Sequence, residues 1–507
     1  MRWLMACILF LAAFTTRADI VALAETDAGM LEGRGEDGVS VFRGIPYAAP
    51  PVGGQRWRAP QAVVPWKGSR SAARFGDACV QDPQLSTANG GDPGRVSEDC
   101  LYLNVWTPLK KGVRNRPVLV WIHGGALVFG SGAVPLYDGS ALAREGIVVV
   151  TINYRMGALG FFAHPTVTGQ NGPVNFGLLD QIAALQWVQR NIAAFGGDPR
   201  QVTIAGQSAG AQSVLALMVS PKAKGLFQRA IAQSPYGVPS HTRSKAQSVS
   251  YAVADALGLP GKNAAAAQLR AIPADRFAAL KSAEVSLAPS FIVGDEAVPR
   301  TILQSFQQDR QARVPLIVGS TDDDGSVLVA FGVNPAALVQ KLQGAKIALK
   351  LSYPDAKDDA QLGREIGRDL AFTAFVRRIA YLQSQRAPTW RYWFSYLAQN
   401  QRSGAAGVPH GGEIAYVFGT GDSCRCLDKP FVDKDRERSR EVQQRWLAFI
   451  RGGPPDGGTL PIWPRDSARR ANVLDIGDTS EARPGFMAAR LNTFIALLQN
   501  AERWLGR

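Results

Sequence analysis

Five stretches of the chain carry apolar, mostly β-branched side chains in unbroken runs. They are "VLVWI" (118–122), "IVVVTIN" (147–153), "VTIAG" (202–206), "AIAQS" (230–234) and "VPLIVGS" (314–320). A strand with one face in water alternates apolar and polar positions. An unbroken run of this length fits a strand covered on both faces, as in a parallel sheet. Between the second and third runs, residues 177–195 place their apolar side chains three and four apart, which predicts an amphipathic helix. "GGDP" follows, and Gly196 is a natural stop. Strand, helix, strand in this order predicts an α/β fold with a mostly parallel central sheet flanked by helices. Further on, "TWRYWFSY" (389–396) predicts an aromatic strand and 422–438 a charged loop. "SREVQQRWLAFIRGG" (439–453) predicts a helix stopped at Gly452, and a last helix is predicted over about 486–505. Neither a repeat nor a low-complexity linker interrupts the pattern. One large domain over 25–507, with loop and helix excursions, is expected rather than the three that length alone suggests.

Composition narrows the class. The chain is 46% apolar and 19% charged, which is ordinary for a folded protein and excludes a disordered one. Lys and Arg exceed Asp and Glu by 56 to 42, so the field favours anionic partners or substrates. No basic block and no nucleic-acid-binding motif accompanies that excess, and nucleic acid is not expected as a partner. Arg2 precedes the apolar run "WLMACILFLAAF" (3–14), too short to span a bilayer and suited to a signal-peptide core. Small residues allow cleavage after Ala18 or Ala24. Residues 1–24 are therefore read as a signal peptide, and the mature chain as secreted or periplasmic without stable membrane insertion. Loss of Cys7 with the signal leaves Cys79, Cys100, Cys424 and Cys426. In an oxidising compartment Cys79 and Cys100 can close a loop worth on the order of 3 kcal/mol. Cys424 and Cys426 are separated by a single residue, so a bond between them would be strained and free thiols are the alternative. A metal site is the weakest reading of the pair, and neither a metal nor a cofactor is expected.

Candidate chemistry begins at "VTIAGQSAG", where a predicted strand runs into Gly206-Gln207-Ser208-Ala209-Gly210 and then into helix-compatible sequence. This is the G-x-S-x-G turn that lifts a serine hydroxyl above a sheet edge, with small neighbours because the backbone closes on both sides. A serine attacking a carbonyl needs donors for the oxyanion. "WIHGGALVFGSG" follows the first strand run, and Gly124 and Gly125 let its amides turn outward. The N–H groups of Gly125, Ala126 and Ala209 are the expected donors. Of the four histidines, His123 lies inside that loop and is expected to hold it. His164 belongs to a turn, and His241 to a polar surface stretch. His410, in "GVPHGGEIAYVFG", alone leaves room for an acid between nucleophile and base, so it is the expected base. Phe129, Tyr137, Tyr236 and Phe291 are candidate pocket or core aromatics.

"VFRGIPYAAPPVG" (41–53), "SEDCLYLNVWTP" (97–108), "NYRMGALGFF" (153–162), "NFGLLDQIAALQWVQRNIAAFGGDP", "VTIAGQSAG", "HGGEIAYVFG" and Trp463-Pro464 together extend the pattern over nearly the whole mature chain. In these motifs the chain resembles the type-B carboxylesterases, which include cholinesterases and bacterial para-nitrobenzyl esterases. The resemblance implies the α/β-hydrolase fold, a small-molecule ester substrate, and hydrolysis without metal or coenzyme. It also implies a Cys79–Cys100 disulfide and a supporting role for Ser234. The family acid is usually Glu in a motif ending Asp-Glu-Gly. Here "VGSTDDDG" offers Asp324 in that place, with Asp322 and Asp323 expected to be solvated or paired with loop groups. Ala126 stands where many members have a third Gly. The expected reaction is double displacement by Ser208, His410 and Asp324. The alternatives are an amidase or peptidase, a lipase, and a non-catalytic binding protein.

Overall fold

The computed structural model describes residues 21–505 apart from 90, 110–111, 113, 281–282, 343, 345, 425–428, 459 and 468–469. A 13-stranded sheet runs through it. In chain order its strands are β1 (Val21–Thr26), β2 (Gly29–Glu36), β3 (Val39–Pro46), β4 (Ser69–Ser71), β5 (Tyr102–Pro108), β6 (Arg116–Ile122) and β7 (Val148–Ile152). Then come β8 (Gly197–Gln207), β9 (Arg229–Gln233), β10 (Leu316–Thr321), β11 (Thr389–Phe394), β12 (Val473–Ile476) and β13 (Ser480–Arg483). The order across the sheet is β1-β2-β3-β5-β7-β6-β8-β9-β10-β11-β12-β13, with β4 beside β2. From β7 to β12 every pairing is parallel. Antiparallel pairs close both edges. This is the α/β-hydrolase architecture in one domain, mostly parallel as the sequence predicts.

The unbroken apolar runs are explained by the packing. Val118, Val120 and Ile122 of β6 join the core on one face of the sheet, while Leu119 and Trp121 join the core on the other. Both faces are dry, so no position needs to be polar. The predicted helix is α1 (Phe176–Asn191), continued by a 3-10 turn to Phe195 and ended by Gly196 at φ 80°. It is buried almost all round, with its exposed stripe confined to Gln186 and Arg190 and the half-buried Ala183 and Gln189.

The helix α2 (Ala209–Val219) follows β8 after the single residue Ser208 and is buried along its whole length. Further along come α3 (Ser326–Ala330), α4 (Asp359–Arg368), a π-helical turn Asp369–Thr373, α5 (Ala374–Ser384) and α6 (Ile414–Phe418). The charged loop expected at 422–438 is helical from Asp433, since α7 spans Asp433–Ile450. Asp435 accepts the Val432 amide at 2.9 Å, and acidic residues fill the first turn, so the charges favour a helix start. A last helix, α8, spans Ala488–Leu505. Cys79 and Cys100 are disulfide-bonded. Cys424 is also in a disulfide, against the free-thiol alternative, while Cys426 lies outside the described residues. The expected signal segment lies outside them too, except for 21–24. None of the helices described is long and apolar enough to cross a membrane.

Candidate active site

Ser208 stands between β8 and α2 at φ 57°, ψ −123°, a region costly for a residue with a side chain. Two bonds hold it there. Its amide donates to the Gln233 carbonyl on β9 at 2.9 Å, and its carbonyl accepts the Gln212 amide of α2 at 2.9 Å. The flanking glycines are obligatory on volume alone. A Cβ on Gly206 would lie 2.5 Å from the Gly210 carbonyl carbon, and one on Gly210 would lie 2.0 Å from the Ile122 carbonyl oxygen. Ala209 is fully buried at the first position of α2.

The loop after β6 lies against this turn. A Cβ on Gly124 would approach the Gln207 carbonyl oxygen to 2.8 Å and the Ser208 Cβ to 3.2 Å. Gly125, Ala126 and Leu127 have successive positive φ values of 94°, 53° and 62°. The Gly125 carbonyl accepts from Val128 and Phe129 amides at 2.9 and 3.0 Å, closing the turn. His123 is buried, faces its Nδ1 to the Gly124 carbonyl at 2.9 Å and stacks on Tyr154 at 4.4 Å. Burial pushes its imidazole down to about 4, so it is neutral and holds the loop as expected.

Across the cavity, His410 Nδ1 meets Asp324 Oδ1 at 2.8 Å. Asp324 is fully buried, and its Oδ2 accepts the Thr321 amide at 2.9 Å. A proton on Nδ1 facing a carboxylate leaves the lone pair on Nε2. That Nε2 is buried and has no hydrogen-bond partner among the described residues. His410 and Ser208 line one cavity of about 360 Å³ together with Gly124, Gly125 and Ala126. The structure thus gathers Ser208, His410, Asp324 and the glycine loop at the carboxyl edge of the parallel strands.

The 319–326 segment also cradles the histidine loop. Asp322 Oδ1 accepts the Val408 amide at 2.6 Å, the Asp323 amide donates to the Val408 carbonyl at 3.1 Å, and the His410 amide donates to Ser326 Oγ at 3.0 Å. Asp322 and Asp323 are half-buried, and Asp322 is the one paired with a loop group through its carboxylate. Burial pushes Asp322 up to about 7, against the pull of the Val408 amide and Arg368. Burial likewise pushes Asp323 up to about 6.

Sequence reasoning passed over Glu413, although it lies within the quoted "HGGE". It is fully buried, accepts from Gln233 Nε2 at 3.1 Å and Tyr392 Oη at 3.3 Å, and leaves Oε2 without a partner among the described residues. Burial first, and the nearby Asp324 second, push its carboxyl up to about 7. Phe372, from the π-helical turn, sets its ring 5.1 Å from His410, and no sequence signal pointed to it. Ser234 follows β9 at φ 51°, with its amide on the Gly319 carbonyl at 2.8 Å and its hydroxyl buried and without a partner among the described residues. Of the four candidate aromatics, Phe129 and Tyr137 line the cavity of Ser208 and His410. Tyr236 and Phe291 are buried in the core. His241 is half-buried in a two-stranded pairing with Ile292 rather than on the surface, because that pairing covers it. His164 is buried immediately before the one-turn helix Pro165–Thr168, where a turn was expected. A second cavity of about 630 Å³, lined by Met156, Leu159, Phe162 and Phe277, shares Leu85, Ala126 and Phe331 with the first.

Known proteins agree with this architecture. The model of the carboxylesterase family matches residues 20–494. The chain is 37% identical to a fumonisin B1 esterase of Sphingopyxis macrogoltabida over 479 residues, 89% of this chain and 86% of the relative. It is 37% identical to a phenmedipham hydrolase of Pseudarthrobacter oxydans over 504 residues, 92% and 99% of the two chains. It is 34% identical to the para-nitrobenzyl esterase of Bacillus subtilis over 480 residues, 91% and 96%. A solved PNB esterase superposes with a TM-score of 0.81 at 30% identity, covering 93% of this chain and 99% of that one. The chain belongs to the carboxylesterase family and is a carboxylic-ester hydrolase.

Proposed function

We propose that this carboxylesterase-family enzyme cleaves its ester through an acyl-enzyme on Ser208, with His410 as base, Asp324 as its acid partner and the amides of Gly125, Ala126 and Ala209 as oxyanion hole. The observation that carries the reading is the 2.8 Å bond that Asp324 accepts from His410 Nδ1, with Nε2 buried and without a partner among the described residues in the cavity that Ser208 lines. His410 Nε2 takes the Ser208 proton as the hydroxyl oxygen bonds to the ester carbon. The resulting oxyanion falls among the three amides, each of which is worth about 2.7–4 kcal/mol of barrier in such sites. The carbon–alkoxy bond breaks, and the alcohol leaves with the proton from His410. Water, deprotonated by the same nitrogen, then releases the acid. Asp324 fixes the tautomer and stabilises the imidazolium without taking the proton. Gly124 keeps the loop close to the nucleophile, and Ser234 supports the site from the end of β9. The apolar cavity beside Ala126 suits an ester carrying a bulky apolar group.

A fluorophosphonate is expected to inactivate the enzyme and label Ser208, and Ser208→Ala to lose about 10⁴-fold or more of its turnover on para-nitrophenyl esters. Label on another residue, or turnover surviving in the alanine variant, would overturn the assignment. Export is part of the proposal. Cleavage after Ala18 leaves β1 whole, whereas cleavage after Ala24 removes Val21, Ala22, Leu23 and Ala24, four of the β1 residues that pair with β2. N-terminal sequencing of the exported protein is expected to find residue 19 first.

A further inference from the structure

The far end of the glycine loop is held at Gly130 by a side chain from outside it. Gln81 is 2% exposed. Its Oε1 accepts the Gly130 amide at 2.7 Å, and its Nε2 donates to the Gly130 carbonyl at 2.8 Å. The same Nε2 donates to the Cys79 carbonyl at 2.9 Å. One planar amide therefore grips both polar groups of Gly130 and ties them to a residue that the Cys79–Cys100 disulfide anchors. Gly130 lines the catalytic cavity, has φ 120°, and has no room for a Cβ, which would lie 2.3 Å from His123 Nδ1. A second strut lies beside it, with Asn153 Oδ1 accepting the Gly132 amide at 2.8 Å and its Nδ2 donating to the Asp77 carbonyl at 3.1 Å.

This matters because oxyanion donors act only if they are in place before the charge forms. A loop with three successive positive φ values and glycines at 124, 125 and 130 has many other conformations within reach. His123 holds its near end and Gln81 its far end, with the Gly125–Phe129 turn slung between them. We infer that Gln81 is a positioning residue for the oxyanion loop, through which the disulfide-anchored segment after Cys79 sets the transition-state affinity of the site. The inference rests on the assignment of Gly125 and Ala126 as oxyanion donors.

The test uses the full-length, disulfide-intact enzyme and its Gln81→Leu and Gln81→Glu variants. Rates are expressed per active site titrated with a fluorophosphonate. For Gln81→Leu, kcat/KM on a para-nitrophenyl ester and affinity for a trifluoromethyl ketone, which forms an oxyanion on the nucleophile, are expected to fall together about ten- to a hundredfold. Inhibition by a non-electrophilic ether of the same shape is expected to change by less than about threefold, because it places no charge in the loop. For Gln81→Glu, the protonated carboxyl can both donate and accept, so its rate relative to wild type is expected to rise as pH falls. Unchanged kcat/KM and ketone affinity per titrated site in Gln81→Leu, whatever its thermal midpoint, would overturn the inference. So would equal losses for ketone and ether. If Gln81→Leu does not fold, a pH-independent ratio in Gln81→Glu overturns it instead. Ser208→Ala measured alongside separates two failures. Retained turnover there sinks the Ser208 assignment and this inference with it, while a dead Ser208→Ala beside an unimpaired Gln81→Leu sinks this inference alone.

Discussion

The two halves of the proposed site are built by different physics. The nucleophile half, at the ends of β6 and β8, is shaped by backbone and excluded volume. Ser208, Gly125, Ala126 and Leu127 sit at positive φ, and Cβ atoms on Gly124, Gly125, Gly206 and Gly210 would meet neighbouring backbone. The acid–base half, from 319–326 and 407–413, is shaped by hydrogen bonds between segments far apart in sequence and by buried carboxyls. Strain of about 1–3 kcal/mol per residue is held in the first half by packing. In the second, each hydrogen bond contributes about 0.5–1.5 kcal/mol, more where its carboxylate is charged, and so depends on protonation. Steric changes should therefore break the first half, and isosteric or pH changes the second.

The largest effect expected within this comparison is at Asp324. Asp324→Asn keeps the shape but no longer favours a proton on His410 Nδ1, and kcat is expected to fall by about 10²–10⁴ with the thermal midpoint little moved. A comparable loss in Asp322→Asn would show that the acid has been misplaced along the segment. Gly125→Ala tests the steric half. With φ at 94° and a Cβ 2.0 Å from the Phe129 carbonyl oxygen, the loop must shift. Ester turnover and fluorophosphonate labelling rate are both expected to drop about 10–10³-fold, and a wild-type rate would mean that the loop is not constrained.

A smaller effect separates two substitutions at one position. Asp322→Asn retains a side-chain oxygen for the Val408 amide, whereas Asp322→Ala removes it. The alanine variant is expected to lower kcat/KM about three- to tenfold and the asparagine variant to change it by less than about twofold, as one hydrogen bond of about 0.5–1.5 kcal/mol would. Identical kinetics for the two would show that the bond does not position His410.

The last effect is on stability rather than on turnover. Glu413 rises from 4.5 to about 7 on folding, so between those pH values the folded chain binds a proton that the unfolded chain lacks. Stability then falls as pH rises through that window. Glu413→Gln removes this contribution. Relative to wild type, it is expected to gain on the order of 1–3 kcal/mol between about pH 4.5 and 7.5, read from urea midpoints. A difference that does not vary with pH would show that Glu413 is already charged in the folded state.

Much of this was legible in sequence where the cause is local. The run 118–122 lies wholly within β6, and 147–153 brackets β7 by one residue at each end, because a strand buried on both faces has to be apolar throughout. The edge strand β1 escaped notice, since only Ala24 in it is buried and its pairing with β2 compensates for a weak pattern. The start of α7 was read as a loop because its charge run carries no apolar period, yet Asp433 and Asp435 suit a helix N-terminus. Ser208 was visible because the turn demands small neighbours in series. His410 followed from chain order, and Asp324 from family resemblance.

By itself, then, the sequence determined the strand runs, the strained serine turn, the glycine loop and the late histidine, each written in contiguous residues. The tertiary structure alone decided that Asp322 anchors Val408, that Gln81 grips Gly130, that Glu413 is buried beside Asp324, and that a π-helical turn brings Phe372 to His410. These partners lie tens of residues apart, 86 for Asp322 and Val408, and the strand order of the sheet brings their segments together. Composition and periodicity report burial and local conformation. Which buried polar group meets which is settled only when the sheet closes and every desolvated donor must find an acceptor.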